Sequence, residues 1–434
     1  MSNNFSSSAP NHMDELYSNL STLLAGQNRA GLKKVESFRH SPFKRLKMPD
    51  RHTPKTRSKT LLPNELKKPG NHDAILYIKD RRWQLDQAGE YQKFINIQPF
   101  QFAPSAWGSE HLAYNQRFEQ QPGQILAGFN LLALTETLTI HLPKDFKSDQ
   151  VLHIVNMPEI NHQDPQSAQS NHIRVHIKLE KGAHLDLVEW QGHVDSNAII
   201  DHSSTQSNVI ECDVGEHACA NHLLLQHGTH QITNLNTRRY KLFENAHLRL
   251  SNLSSNAYIQ RIETHVAFHA SSAHTSLAAL CFLNHKNHCD QITWFDHLSP
   301  NCTSSQSFRG ILDERASANI QGKISIAEHC NQTNADQNIK TLMLSDHAQV
   351  EMKPELEILS HDVQCTHGAT MSDLDPEMLY YLASRGIQKE QAQYLLLEGF
   401  LKTALINDFP ENMNTYLETY CSTLLAQAIK TSKQ

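Results

Sequence analysis

The side chains with the most chemical potential in this sequence are thiols and imidazoles. The chain holds 28 histidines and eight cysteines. Twelve of them fall within one stretch: Cys281, His285, His288, Cys289, His297, Cys302, His329, Cys330, His347, His361, Cys365 and His367. Thiolate and imidazole together suit iron, copper or zinc. Chance clusters are common with so many histidines, so we single out two candidate metal ligands, Cys365 and His367. They stand two residues apart, which places both on one face of a strand.

Several familiar catalytic patterns are missing from the sequence. No GxxxxGK[ST] phosphate loop, GxGxxG dinucleotide fingerprint, HExxH zinc motif or GxSxG nucleophile motif occurs. No CxxC pair is present either, so neither a zinc ribbon nor a ferredoxin-type cluster is indicated. The sequence therefore predicts a protein without catalytic machinery of its own.

Composition bounds the class of protein. The 434 residues carry 39 basic and 45 acidic side chains, a net charge of −6, which argues against a nucleic-acid-binding protein. No run of 18 apolar residues occurs, and the first residues lack the pattern of a secretory signal, so we expect a cytoplasmic protein with reduced cysteines and no membrane contact.

The N-terminal 70 residues differ from the rest. Residues 13–25 could form a short helix with several leucines on one face, and residues 33–59 hold ten Lys or Arg against two acids. We expect residues 1–70 to be a helical and basic, partly flexible segment, in which the basic stretch is a solvated linker or contacts an anionic partner.

From about residue 74 the hydrophobic period becomes two, which is typical of strands. Residues 74–78 and 138–142 are the first clear runs. A loose repeat then places a polar turn and an alanine before alternating residues, in GAHLDLVEW (182–190), HACANHLLL (217–225), NAHLRLSNL (245–253), SAHTSLAAL (272–280), RASANIQGK (315–323) and HAQVEMKPE (347–355). Small residues at corners favour a β-solenoid, with its core from about residue 125, over a two-sheet sandwich.

After residue 370 the period becomes 3.6, which predicts three helices. The first begins at Asp375 and Pro376 and ends at Gly386, the second begins near Lys389, and the third begins near Pro410. The apolar side chains of the second helix and its end are candidate partner-binding residues: Leu395, Leu396, Phe400, Leu401 and Leu405. Residues 371–434 are thus predicted to be a helical docking domain that follows a strand region over 71–370.

Ordered motifs in the last third of the chain resemble the SufB/SufD family of the SUF iron–sulfur cluster assembly system. They are QTNADQNIKTLMLS (332–345), KPELEI (353–358), DVQCTHGAT (362–370) and DPEMLYYLASRGI (375–387). The chain is more similar to the SufD members than to the SufB members, because HGAT at 367–370 replaces the HEAT of SufB-like proteins. The N-terminal 60 residues match the family poorly.

The resemblance implies a right-handed parallel β-helix flanked by N-terminal and C-terminal helical segments. It also implies a scaffold subunit that pairs with a SufB-like paralogue, or forms a homodimer without it, and docks a SufC-like P-loop ATPase through its C-terminal helices. His367 would then lie at the partner interface as a ligand of iron or of a transient iron–sulfur cluster that this chain alone does not bind tightly.

Two other functions are compatible with a β-solenoid. A β-helical carbohydrate-active enzyme needs closely set acids on one face, whereas the acids here are scattered. A left-handed acyltransferase needs a hexapeptide period, which is absent.

Overall fold

A computed structural model describes residues 73–79, 82–87, 89–99, 136–156, 172–192, 204–227, 232–255, 257–405 and 409–431, with isolated positions between 126 and 134. The predicted N-terminal helix and the basic segment lie outside the described residues. The chain divides into two compact units, one of residues 1–57 and 103–134 and the other of residues 58–102 and 135–434. The strands and helices described below all belong to the second unit.

The described residues of the second unit form nineteen strands in two sheets. The strands are β1 (Ala74–Lys79), β2 (Arg82–Gln87), β3 (Ile95–Pro99), β4 (Glu136–Leu142), β5 (Leu152–Asn156), β6 (His172–Leu179), β7 (His184–Gln191), β8 (Ser204–Val214), β9 (Cys219–His227), β10 (Ile232–Leu242), β11 (His247–Ser255), β12 (Ile259–Phe268), β13 (His274–Leu283), β14 (His288–His297), β15 (Thr303–Leu312), β16 (Ser317–Ile326), β17 (Thr333–Met343), β18 (Gln349–Ile358) and β19 (Val363–Asp373).

Successive strands from β4 onward alternate between the two sheets. One sheet has the order β19-β17-β15-β13-β11-β9-β7-β5-β1-β2, and the other has the order β18-β16-β14-β12-β10-β8-β6-β4-β3. Neighbours are parallel throughout, except where β2 joins β1 and β3 joins β4. The chain therefore winds as a two-sided parallel β-solenoid, which confirms the predicted fold class and rules out the sandwich.

The repeated alanine marks the corners of the coils. Ahead of β9, β11 and β13, a residue with positive φ (His217 at 55°, Asn245 at 51° and Ser272 at 60°) turns the chain. The alanine that follows each of these residues is fully buried, at 0% exposure. A larger side chain would not fit inside so tight a bend, so the repeat selects alanine at this place. The copies of the repeat are irregularly spaced in the sequence because some belong to strands of one sheet and some to strands of the other.

Three helices follow the strands: α1 (Pro376–Ser384), α2 (Lys389–Lys402) and α3 (Glu411–Thr431). Helices α2 and α3 cover the outer face of the β5–β19 sheet. There a second apolar core forms, in which Leu397, Leu401, Met413 and Leu417 pack with strand residues such as Leu280. The main core lies inside the coils. No helix in the described part of the chain is long and apolar enough to cross a membrane.

Candidate functional site: the open end of the solenoid

The last two strands leave one end of the solenoid uncovered. Among the described residues, β18 pairs only with β16, and β19 pairs only with β17. No residue of β18 or β19 is buried, whereas their inner neighbours β16 and β17 bury about every second side chain. Unpaired N–H and C=O groups on such edges are templates for another chain.

The same end exposes apolar side chains. The side chains of Val350, Met352 and Leu356 pack against the main core but are only partly buried. Beyond them Ile358 is 39% exposed, Leu359 60% and Met371 59%. Edge strands combined with an apolar patch mark a protein interaction surface. We call the strands β18 and β19 with Leu359 the open end.

Cys365 and His367 lie together on β19, at the open end. Cys365 lies beside Ala335 and is partly buried against the main core, while His367 lies beside Gln337 and is exposed. Burial raises the pKa of the Cys365 thiol, which disfavours the thiolate that binds metal. Of the two predicted ligands, the exposed imidazole is therefore the better placed.

These two side chains do not form a metal site by themselves. In the described part of the chain, no group of three or more His, Cys, Asp or Glu side chains is arranged to hold a metal ion. A tightly held ion normally needs four ligands. Any ion held at His367 thus requires ligands from outside the described residues.

The remaining thiols and imidazoles of the cluster are dispersed by the fold. Cys281 and Cys289 lie within the main core. The thiols of Cys302 and Cys330 donate to backbone carbonyls at corners. Several histidines pair with carboxylates, as His285 does with Glu314 at 2.7 Å. The cysteines named here and the paired histidines therefore have structural roles within the coils.

Helix α1 is a second exposed feature. Asp375 caps it by accepting a hydrogen bond from the backbone N–H of Glu377 at 2.9 Å, and Pro376 occupies its first turn. The helix buries none of its residues. Met378 is 50% exposed, Tyr380 77% and Tyr381 52%. Leu379 and Leu382 are half-buried, so the helix gains only limited stability from packing on the described residues.

The five predicted partner-binding residues divide between the surface and the second core. Leu395 is exposed at 41%, and Leu396 is half-buried. Phe400 and Leu405 are partly buried against the second core. Leu401 is only 4% exposed, so it is corrected from a docking residue to a core residue. Helix α2 packs on the sheet through Leu401, so the Leu401 side chain is not accessible to a partner.

Sequence reasoning missed the exposed surface of α1 and the apolar residues of the open end. The pair Tyr380 and Tyr381, outside the expected apolar positions of the helix, was the available signal. Met371 and Leu359 lie where the alternation of apolar and polar residues becomes weak. Their exposure follows from the lack of a further strand beside β18 and β19 among the described residues, which the sequence pattern does not indicate.

The open end and the exposed face of α1 are thus surfaces of the kind that mediate protein interactions. The chain belongs to the SufB/SufD family: residues 160–400 match the SufBD core domain of the SUF system for iron–sulfur cluster assembly. This confirms the family assignment made from the motifs.

Curated relatives agree with this family. A SufBD family protein of Synechocystis is 25% identical over 281 residues, covering 64% of this chain and 61% of that protein. SufD of Escherichia coli is 37% identical over 112 residues, 26% of each chain. SufD of Bacillus subtilis is 39% identical over 101 residues, 23% of each chain. The chain thus matches less than two thirds of the length of each of these relatives, and SufD proteins are among them.

Proposed function

We propose that this chain is a non-catalytic scaffold subunit of a cytoplasmic SufBCD-type complex. In this complex it pairs with a SufB-like paralogue and docks a SufC-like ATPase, and together they assemble nascent iron–sulfur clusters. The observation that carries the proposal is the open end, because two edge strands and an apolar patch there have no partner among the described residues. The cluster is cargo of the complex.

The paralogue is proposed to bind at the open end. A strand pairing with β18 or β19 would satisfy the free backbone groups, and burial of Leu359 and Met371 would add about 1.5–3 kcal/mol for each side chain. The resulting interface would surround His367, where the paralogue can supply the missing ligands for iron or a transient cluster. A second copy of this chain is the competing occupant when the paralogue is absent.

The ATPase is proposed to dock on the C-terminal helices, with α1 as the main contact. Its exposed Met378, Tyr380 and Tyr381, with Leu395 of α2, provide aromatic and apolar anchors of the kind that dominate interfaces. ATP hydrolysis is assigned to that partner because this sequence has no phosphate loop.

Co-purification of the full chain with the two partners tests the proposal. Deleting the helices is a poor test, because α2 and α3 cover the second core. Point variants are sharper. Tyr380→Asp should abolish ATPase capture while leaving the melting temperature and capture of the paralogue unchanged. Leu298→Asp serves as the matched control, since Leu298 is 50% exposed but lies after β14, away from α1. Equal ATPase capture by both variants would remove α1 from the interface.

A further inference from the structure

The inside of the solenoid carries a polar stripe in addition to its apolar core. In one sheet, Gln306, Gln337 and His367 lie side by side on β15, β17 and β19 and face inward. In the other sheet, Arg238, Thr264 and Thr293 lie side by side on β10, β12 and β14. Except for the exposed His367, all these side chains are at most 1% exposed.

The two halves of the stripe meet across the interior. The hydroxyl of Thr293 donates to Oε1 of Gln306 at 2.6 Å. The next position beside Thr293 is Gly322, and a Cβ placed there would lie 1.3 Å from Nε2 of Gln337. The amide of Gln337 therefore occupies space that only glycine leaves open, and it continues the stripe toward His367.

The inner end of the stripe is a buried ion pair. Arg238 donates from Nη2 to Glu189 at 2.7 Å, and His222 lies 3.2 Å from the same carboxylate oxygen and 2.6 Å from the Tyr240 hydroxyl. Although burial raises the pKa of Glu189, the charge of Arg238 and the hydrogen bond from His222 hold it at about 2. Glu189 is therefore ionised at neutral pH.

Most side chains of the stripe have polar atoms without a hydrogen-bond partner among the described residues. Those atoms are Nε and Nη1 of Arg238, Oγ1 of Thr264, Nε2 of Gln306, and both Nε2 and Oε1 of Gln337. Each unmet buried group costs about 1–3 kcal/mol, which a domain of ordinary stability does not sustain six times over. Neighbouring strands lie about 4.8 Å apart, close to the span of one water that bonds to both side chains.

We propose that the solenoid binds a file of water molecules along Arg238, Thr264, Gln306 and Gln337, bridged at Thr293 by its direct hydrogen bond to Gln306, which opens to solvent at His367. The file solvates the buried ion pair and connects it to the open end through hydroxyl and amide side chains that both donate and accept hydrogen bonds, beginning at Arg238, which only donates. This site lies inside the chain and does not depend on the proposed partners.

A crystal structure of the full chain that resolves ordered water tests the proposal directly. Water is expected within about 3.2 Å of Nη1 of Arg238, Nε2 of Gln306 and the amide of Gln337. An interior without water density, or amides of Gln306 and Gln337 that turn to pair with each other and leave no gap, would overturn it.

The direction of a stability change provides a second test. Gln337→Leu should lower the melting temperature by a few degrees, because the bound waters lose a partner. In a dry interior the same variant would raise it, because an unmet amide is replaced by an apolar side chain of similar size. Ile339→Leu is the matched control, two residues along the same strand and equally buried. A melting temperature of Gln337→Leu at or above that of the wild type would contradict the water file.

Discussion

The two ends of the solenoid differ in how the edges of their sheets and the end of the apolar core are packed. At one end the sheets finish in short antiparallel strands, β2 beside β1 and β3 beside β4, and among the described residues β2 and β3 are themselves edge strands. A short 3-10 helix, Gly89–Phe94, places Tyr91 at 1% exposure, with its ring 5.5 Å from that of Phe146. Among the described residues, no comparable packed segment lies over β18 and β19 at the open end. The first end is therefore packed in part by a segment of the chain itself, whereas the open end offers a surface that another chain can occupy.

The largest expected effect separates the two ends by stability. Tyr91→Ala should destabilise the protein by about 3–5 kcal/mol, because it empties a buried aromatic site in the covered end. Met371→Ala should change stability by no more than about 0.5 kcal/mol, because that side chain is largely in solvent. Denaturant unfolding of both variants measures this. Similar losses would mean that both ends are packed alike.

A pH effect should come from the closed interior. Burial lowers the pKa of His297 from its ordinary 6.5 to about 4, and its ring stacks on Phe268 with centroids 4.1 Å apart. Below pH 6.5 the imidazole of His297 is protonated in the unfolded chain but stays neutral in the folded chain. The free energy of unfolding therefore decreases as the pH drops from 6.5 to 4, by about 3 kcal/mol in total.

Unfolding free energies measured across that pH range check this effect. His297→Asn should flatten the slope. Ser304→Ala removes the hydroxyl that lies 3.0 Å from Nε2 of His297 but keeps the histidine, so it should retain the slope. A slope that is the same with and without His297 would show that the histidine is not the source.

A smaller effect is expected at α1, next to the open end. Asp375→Ala should cost the helix about 1 kcal/mol through loss of its cap. Because α1 has no fully buried residue, the global melting temperature should change little, while hydrogen exchange over 376–384 becomes faster. Asp375→Asn, which can still cap, is the control. A drop in global stability would instead place α1 within the cooperative fold.

The smallest effect on stability is expected at His367. His367→Ala should alter stability by less than about 0.5 kcal/mol, because the side chain is exposed. The complex purified with this variant should nevertheless contain less iron. His361→Ala is a suitable control, since His361 is also exposed and lies just before β19. Wild-type iron content in the His367 variant would remove this histidine from the proposed site.

Sequence patterns predicted the parts of the fold that require a particular residue type at a particular position. The buried alanines at corners and the cap of α1 at Asp375 need particular residue types, so the coils and the helix starts were predictable. Corners at which another residue takes the place of the alanine were missed, as at Cys302, which lies between Asn301, with φ at 60°, and β15, and at Asn287 before β14.

The sequence patterns failed where consecutive residues are alike, and where the exposure of a strand depends on whether another strand follows. The three consecutive leucines at 395–397 let the period fit more than one face of α2, and packing chose Leu397 and Leu401 for the core. The open end follows from the lack of another strand, which no local pattern records. The candidate site was predictable at Cys365 and His367 through the family motif, but its apolar surroundings were not.

The affinity of this chain for a SufB-like paralogue is the most direct measure of the open end as an interface. Titration calorimetry should compare the wild type with a Leu359→Asp, Met371→Asp double variant, and with Phe243→Asp as an exposed control four coils away from Leu359. The double variant should bind at least about 100-fold more weakly at an unchanged melting temperature, because two buried apolar contacts are lost. Affinity equal to that of the wild type in the double variant would contradict the assignment of the open end as the pairing surface.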